Sequence, residues 1–349
     1  MRAKLLAHLG VWALAVPALH AQKATDSAAV IIRLGTDTVA VERWIRRADR
    51  LETVLVERAP RTNVRRLTAQ LDARGQITQL TLDQQQPLVP TAGAIPTPGG
   101  FYAPYALAFM TAANARDSIV TLQLQSGDAP QAFQFRRIGT DWFDLVSSAG
   151  ATTMRARLNR HGQLLWIDAP PSTTVERVAW LDIDAIARNF AARDQSGRGM
   201  GVLSPTDTVR AQSAGASLSV VYSKPGARGR TVMGGLVPYG RVWRTGANNP
   251  TELEFNRPVR IGELRLAPGK YTLTTIPERN RWHLIVSKPG ATANDPVQEV
   301  GRAVMMSRAT TDYTEHFTIA LAPTREGSTL QMRWENTEAS ILIVVEAAR

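Results

Sequence analysis

From Ile31 onward the chain alternates apolar and polar residues over short runs broken by Gly, Asp and Asn, the period-2 signature of half-buried strands. Val39, Val41 and Ile45 share one predicted face, and Leu51, Val54 and Val56 another, after the turn at Ala48-Asp49-Arg50. Further strands are predicted at Arg65 to Leu71, Ile77 to Leu82, Ser118 to Leu124, Gln131 to Ile138, Trp142 to Val146, Met154 to Leu158 and Leu164 to Ile167. The first half therefore reads as an antiparallel meander sheet. Two of its hairpins, Ala69 to Ile77 and Ala156 to Leu164, share the pattern A-x-L-[DN]-x-x-G-Q-[IL]. The Asp or Asn caps the turn and the Gly supplies a positive φ, which puts His161 at a turn tip. Between them, the proline-rich stretch Gln84 to Gly100 reads as a long loop, and the Ala- and aromatic-rich Phe101 to Ala115 as a short buried helix.

The period changes near residue 182. Asp182 is placed to N-cap a helix in which Ile183, Ile186, Ala187 and Phe190 recur at helical spacing. Three glycines between Ser196 and Gly201 then read as a flexible linker. Alternation returns at Leu218, Val220 and Tyr222, at Leu253 and Phe255, and in the hairpin from Leu264 to Thr275. It continues at Trp282 to Val286, Phe317 to Leu321, Leu330 to Trp334 and Ile341 to Val345; Pro296 to Arg308 fits a helix as well as a strand. The pattern predicts a mainly β protein of two antiparallel domains: residues 22–195, then the linker 196–202, then a sandwich or barrel-like domain over 203–349.

Composition narrows the chemistry. Arg2 and Lys4 precede an apolar run from Leu5 to Leu19 that ends at Ala21, the layout of a secretory leader over residues 1–21. His8 and Pro17 interrupt it, and no later run approaches membrane-spanning length. The expectation is an exported chain, periplasmic or secreted, without a transmembrane segment after cleavage. There is no cysteine, which excludes disulfides, thiolate metal sites and a cysteine nucleophile. After cleavage the formal charge falls from +11 to +9, and three histidines remain: His161, His283 and His316. No metal or cofactor is expected from such material. The basic residues from Arg43 to Arg66 fall on predicted strands and read as a solvated face rather than a nucleic-acid site.

One segment breaks the β pattern. Between Tyr222 and Thr251 run nearly thirty residues without clear periodicity, carrying Lys224, Arg228, Arg230, Arg241 and Arg244, no acidic residue, and six glycines. Loops of this length inside a β domain tend to be functional. Guanidinium forks bind carboxylate or phosphate, and aromatic faces stack on rings or sugars. The candidate binding residues are Tyr222, Lys224, Arg228, Arg230, Tyr239, Trp243, Arg244 and Asn248. The competing account makes Trp243 and Leu236 core anchors and lets the arginine stems cover apolar surface.

Tyr222-Ser223-Lys224-Pro225, Gly229-Arg230, Leu236-Val237-Pro238-Tyr239-Gly240 and Val242 to Asn248 together resemble the signature of DUF2911, a family of exported bacterial proteins without a known activity. Glu315-His316-Phe317-Thr318-Ile319 resembles a later strand of that family. The resemblance covers roughly two fifths of the chain, from about Leu203 onward, and implies a strand at Arg302 to Ser307. Asn249-Pro250 departs from the Glu-Ala expected there. The functional expectation is a non-catalytic module that binds an anionic or carbohydrate-like small molecule or envelope polymer through the loop. The alternatives are a periplasmic hydrolase using His283 or His316 with Glu315, and a structural envelope interaction protein. No G-x-S-x-G, H-E-x-x-H, P-loop or dinucleotide motif is present.

Overall fold

The computed structural model describes residues 26–169, 172–293 and 295–346; the predicted leader, Met1 to Ala21, lies outside the described residues. The chain is mainly β and builds two sheets. In the first, β1 (Asp26–Leu34), β2 (Asp37–Arg46), β3 (Arg50–Glu57), β4 (Asn63–Leu71) and β5 (Ile77–Leu82) form one meander. A short β6 (Ala94–Pro96) is followed by a second meander: β7 (Ile119–Gln125), β8 (Gln131–Ile138), β9 (Trp142–Val146), β10 (Thr152–Leu158), β11 (Leu164–Ala169) and β12 (Thr173–Val178). β12 pairs antiparallel with β1 and joins the two into a 12-stranded, nearly closed barrel. β6 pairs parallel with β7. At the other edge Leu80 exchanges backbone hydrogen bonds of 2.8 and 2.7 Å with Leu88, in the predicted loop, and thereby covers β5.

The two look-alike hairpins sit six strands apart and have the same turn chemistry. Asp72 Oδ1 accepts from the backbone of Arg74 and Gln76, and Asn159 Oδ1 from His161 and Gln163. Gly75 and Gly162 take φ of 76° and 73°, the left-handed region this turn requires.

Helix α1 (Ala103–Ala113) packs into the barrel core, with Phe109 edge-on to Phe135 at 5.0 Å. Its alanines let it approach the strands closely. Its first turn is held by Glu42, whose fully buried carboxylate accepts from the backbone of Tyr102 and Ala103 and from Thr53 Oγ1. Burial pushes this carboxyl up to about 7, against the lowering effect of its three donors.

Helix α2 (Ile183–Gln195) begins where Asp182 accepts from Ala185 N. It packs outside the barrel, with Ile183, Ile186, Ala187 and Phe190 against Val41, Val54 and Val56. This corrects the predicted strand faces. Ala40, Glu42, Trp44, Leu51 and Leu55 point into the barrel, whereas Val41, Val54 and Val56 point out beneath α2. Both faces of these strands are apolar because both are covered, which erases simple alternation.

The second sheet has β13 (Thr206–Ser213), β14 (Ala216–Ser223), β15 (Thr251–Phe255), β16 (Val259–Ile261), β17 (Leu264–Leu266), β18 (Gly269–Pro277) and β19 (Arg281–Ser287). Two long strands complete it, β20 (Glu299–Pro323) and β21 (Gly327–Val345), in the order β13-β14-β15-β18-β19-β20-β21-β16-β17. The ambiguous Pro296 to Arg308 resolves into one 3₁₀ turn, Pro296–Gln298, and the start of β20. The sheet curls back on itself, because Ser213 Oγ on its first edge donates to Thr324 O and Gly327 O at the β20–β21 turn.

Candidate functional site

The segment from Lys224 to Pro250 leaves β14, crosses the curled sheet and returns as β15. Its first part is fastened at every step. Tyr222 is buried, edge-on to Phe317 at 5.8 Å, and its hydroxyl meets Asp207 Oδ2 at 3.3 Å. Lys224 Nζ lies 3.0 Å from the same carboxylate. The Lys224 hydrogen bond holds the Asp207 carboxyl below the usual carboxylate range, while burial pushes the Tyr222 phenol up to about 12.

Pro225 and Ala227 then pair with β20: Phe317 N donates to Pro225 O and Ala227 N to Glu315 O. The Glu315 carboxylate accepts from Arg228 N at 2.8 Å, and Glu335 accepts from both Val232 N and Met233 N at 3.0 Å. Two carboxylates outside the loop thus satisfy backbone donors inside it.

Arg228 and Arg230 face the barrel. Arg228 Nη1 pairs with Asp37 at the start of β2, and its carbonyl accepts from Thr36 N at 2.9 Å. Arg230 donates from Nε and Nη2 to Ala227 O and Gly226 O, and from Nη1 to Ser172 Oγ beside β12. Burial and the neighbouring Arg228 charge pull the Arg230 guanidinium down from its ordinary value. Two glycines make the approach close enough. A Cβ on Gly35 would stand 2.1 Å from Arg228 O, and one on Gly229 would stand 2.6 Å from Thr36 Cγ2. The linker exit is tied in too: Leu203 O, Ser204 O and Pro205 O accept from Arg228 Nη2, Asn248 Nδ2 and Lys224 N.

The second part anchors through rings and then opens. Trp243 pairs its backbone with Thr275 on β18, and its ring lies 4.9 Å from Phe317, 5.8 Å from Trp334 and 6.1 Å from Trp282. It is a core anchor, as is the partly buried Leu236. Tyr239 is 37% exposed and carries Arg279 over its face at 5.1 Å. Thr245 is buried, with its hydroxyl on Thr275 Oγ1 and its carbonyl taken by Thr251.

Arg244 differs from the earlier arginines. It is exposed, and its hydrogen bond goes to Asn248 O at 3.1 Å, with no acidic partner among the described residues. With Asn248 and Pro250 it forms one wall of a cleft of about 210 Å³. Thr272 and Thr274 of β18 form the floor, and Ala291 to Ala293 the opposite wall. Through Thr274 and Thr292 the cleft continues into a second depression of about 260 Å³, where Glu299 and Arg302 pair at 2.7 Å. A larger groove of about 550 Å³ lies across β13, β14 and β15, away from the loop; its Gln212 and Ser217 are bonded to each other.

The eight predicted residues therefore do not converge on one concavity. Tyr222, Lys224, Arg228, Arg230 and Trp243 are engaged in packing and docking, Tyr239 stands at the surface under Arg279, and Arg244 and Asn248 share the cleft. The sequence offers no signal for Thr272 and Thr274, because threonine on a strand shows only β propensity, or for Thr292 in the connection after β19. The histidines lie apart from the cleft: His283 Nε2 is 3.9 Å from Glu278, and His316 lies against Gly226. Glu315, the carboxylate proposed to assist them, is committed to Arg228 N.

Residues 204–343 match the family described as a protein of unknown function, DUF2911. The match covers the second sheet and stops short of the barrel. No curated protein matches the chain.

Proposed function

We propose that this DUF2911 domain is a binding module for a small anionic ligand, held in the cleft between Arg244, Asn248 and Pro250 on one side and Ala291 to Ala293 on the other. One observation carries the reading: of the residues lining the smaller cleft, Arg244 alone is ionised, and it stands at the rim over a floor of threonines. A guanidinium with most of its donors uncommitted suits a carboxylate or phosphate, and buried hydroxyls beneath it suit the ligand's remaining oxygens. The neighbouring cations support this by contrast, since Lys224, Arg228 and Arg230 already have protein partners. Export is part of the proposal and rests on the leader pattern of residues 1–21; N-terminal sequencing of the protein recovered from the periplasm or medium tests it.

The binding reading is tested by thermal shift with a panel of small carboxylates and sugar acids. A ligand at a hundred times its dissociation constant adds about 2.7 kcal/mol, a shift of several degrees. The Arg244→Ala variant should lose that shift while keeping the melting temperature of the free protein. An unchanged shift in Arg244→Ala would remove the cleft from consideration.

A further inference from the structure

The hairpin β20–β21 is regular from Met306 opposite Ser340 to Ala309 opposite Thr337, and then breaks. Pairing resumes at Thr314 opposite Glu335, so residues 310–313 on β20 face Asn336 alone on β21. Bulges of this kind are built features that re-aim side chains. Asn336 Nδ2 spans this one, donating to Thr310 O and Thr311 O.

Beneath the bulge lies a charge cluster with no part in the loop or its cleft. Glu338 is 2% exposed, and two arginines share its carboxylate. Arg308, directly opposite on the ladder, donates from Nε and Nη2 to Oε1 at 3.0 and 2.8 Å; Arg333 donates from Nε to Oε2. These bonds hold the Glu338 carboxyl below its ordinary range despite the opposing effect of burial. One guanidinium would neutralise the buried carboxylate. The second exceeds that need and is offset on the cleft only by the exposed Asp312 carboxylate, and the two arginine side chains are 71% and 48% exposed. Both guanidinium planes are fixed by Glu338, so they need lose little further rotamer freedom on meeting an anion. They border a polar cleft of about 280 Å³ whose other walls are Thr310, Thr311, Asp312 and Thr314.

We infer that this cleft is a second binding site, for a phosphate-class oxyanion held by the outer edges of Arg308 and Arg333 and the hydroxyls of Thr311 and Thr314, the Thr310 hydroxyl being given to Asp312 O. Paired, preoriented guanidinium groups match the tetrahedral oxygens of such an anion. Asp312, on the cleft wall, opposes the anion's charge and sets the affinity low. The site is independent of Arg244, which belongs to the other cleft.

Titration calorimetry of the full chain with inorganic phosphate and with glycerol phosphate, at low ionic strength, tests the inference. Saturable binding is expected, and the preferred anion distinguishes a free ion from a monoester. The exposed Asp312→Asn should tighten binding about threefold through removal of one nearby charge. Arg308→Lys, which keeps a cation opposite Glu338 but loses the fork, should weaken it at least about fivefold. Arg244→Ala should leave this binding unchanged. The inference is overturned by no saturable heat in either wild type or Asp312→Asn, by wild-type affinity in Asp312→Asn, or by loss of binding in Arg244→Ala.

Discussion

The two halves of the segment between β14 and β15 are chemically alike and physically opposite. Both are rich in arginine and glycine and free of acidic residues. In the first half every cation has a fixed partner: Lys224 on Asp207, Arg228 on Asp37, and Arg230 on two carbonyls and Ser172. In the second half Arg244 faces a cleft and its hydrogen bond goes to a neighbouring carbonyl. The lesson concerns what a basic loop costs. Guanidinium groups that bridge to another domain must be desolvated and paired, and a mutation there leaves a partner stranded. A guanidinium at the rim of a cleft keeps its water until a ligand displaces it.

The most damaging way to break the contrast is to put a side chain at the interlock. Gly35 has φ 62° and no room for a Cβ against Arg228 O. Gly35→Val should cost about 4 kcal/mol, read by chemical denaturation. Hydrogen exchange should rise at Thr36, whose amide is held by Arg228 O across the joint, and stay near wild type at Trp243, whose amide is held by Thr275 O on β18. Equal loosening of both halves would mean the loop is a single unit.

Ionisation of Glu42 perturbs the barrel from a position away from the joint. Its folded-state carboxyl titrates at about 7 against a reference of 4.5. The protonated form is therefore favoured by folding, so this contribution is present in full below about pH 4.5 and is lost as pH rises through 7. The loss is about 3 kcal/mol at 1.36 kcal/mol per pKa unit. Barrel stability should fall between pH 5 and 8, and Glu42→Gln should flatten that slope. If docking couples the two sheets, exchange at Thr36, held by Arg228 O, should follow the same pH profile.

Arg228→Ala addresses the joint from the other side. It removes a side chain that is 12% exposed, its bond to Leu203 O, and the partner of Asp37, itself 40% exposed. A cost of about 2 kcal/mol is expected, below that of a fully buried pair because Asp37 can regain water. Double-mutant cycles with Asp37→Asn should return about half of it as coupling energy.

Much of the fold was legible because the β signal is local. The Asp182 cap, the paired hairpin turns and the meander strands each rest on residues within one element. Among the strands that escaped, β12 (TTVERV) and β13 (TDTVRAQS) are too polar to alternate visibly, and β6 and β16 are only three residues long. The strand faces near Val41 and Val54 were misassigned for the opposite reason, since α2 covers what a lone sheet would expose. In the segment between β14 and β15, the sequence marked a basic loop but could not divide it. The partners that distinguish Arg228 from Arg244 sit 191 and 4 residues away, respectively. Glu315 and Glu335, which fasten the loop's backbone from β20 and β21, carry no pattern that separates them from surface glutamates.

The smallest stability effect is the most discriminating. Arg244→Ala removes one exposed side chain and one bond to Asn248 O, and exposed positions of that kind change stability by less than about 0.5 kcal/mol. If the second half is built for a ligand, the variant should melt with wild type when empty and separate from it only when an anion is added. A drop of 2 kcal/mol or more in the empty protein would place Arg244 with Arg228 and Arg230 as part of the scaffold. The two halves would then differ in their partners but not in their purpose. Measuring both arginines in the same denaturation series therefore decides the comparison, because the expected costs differ about fourfold while the residue type and the substitution are the same.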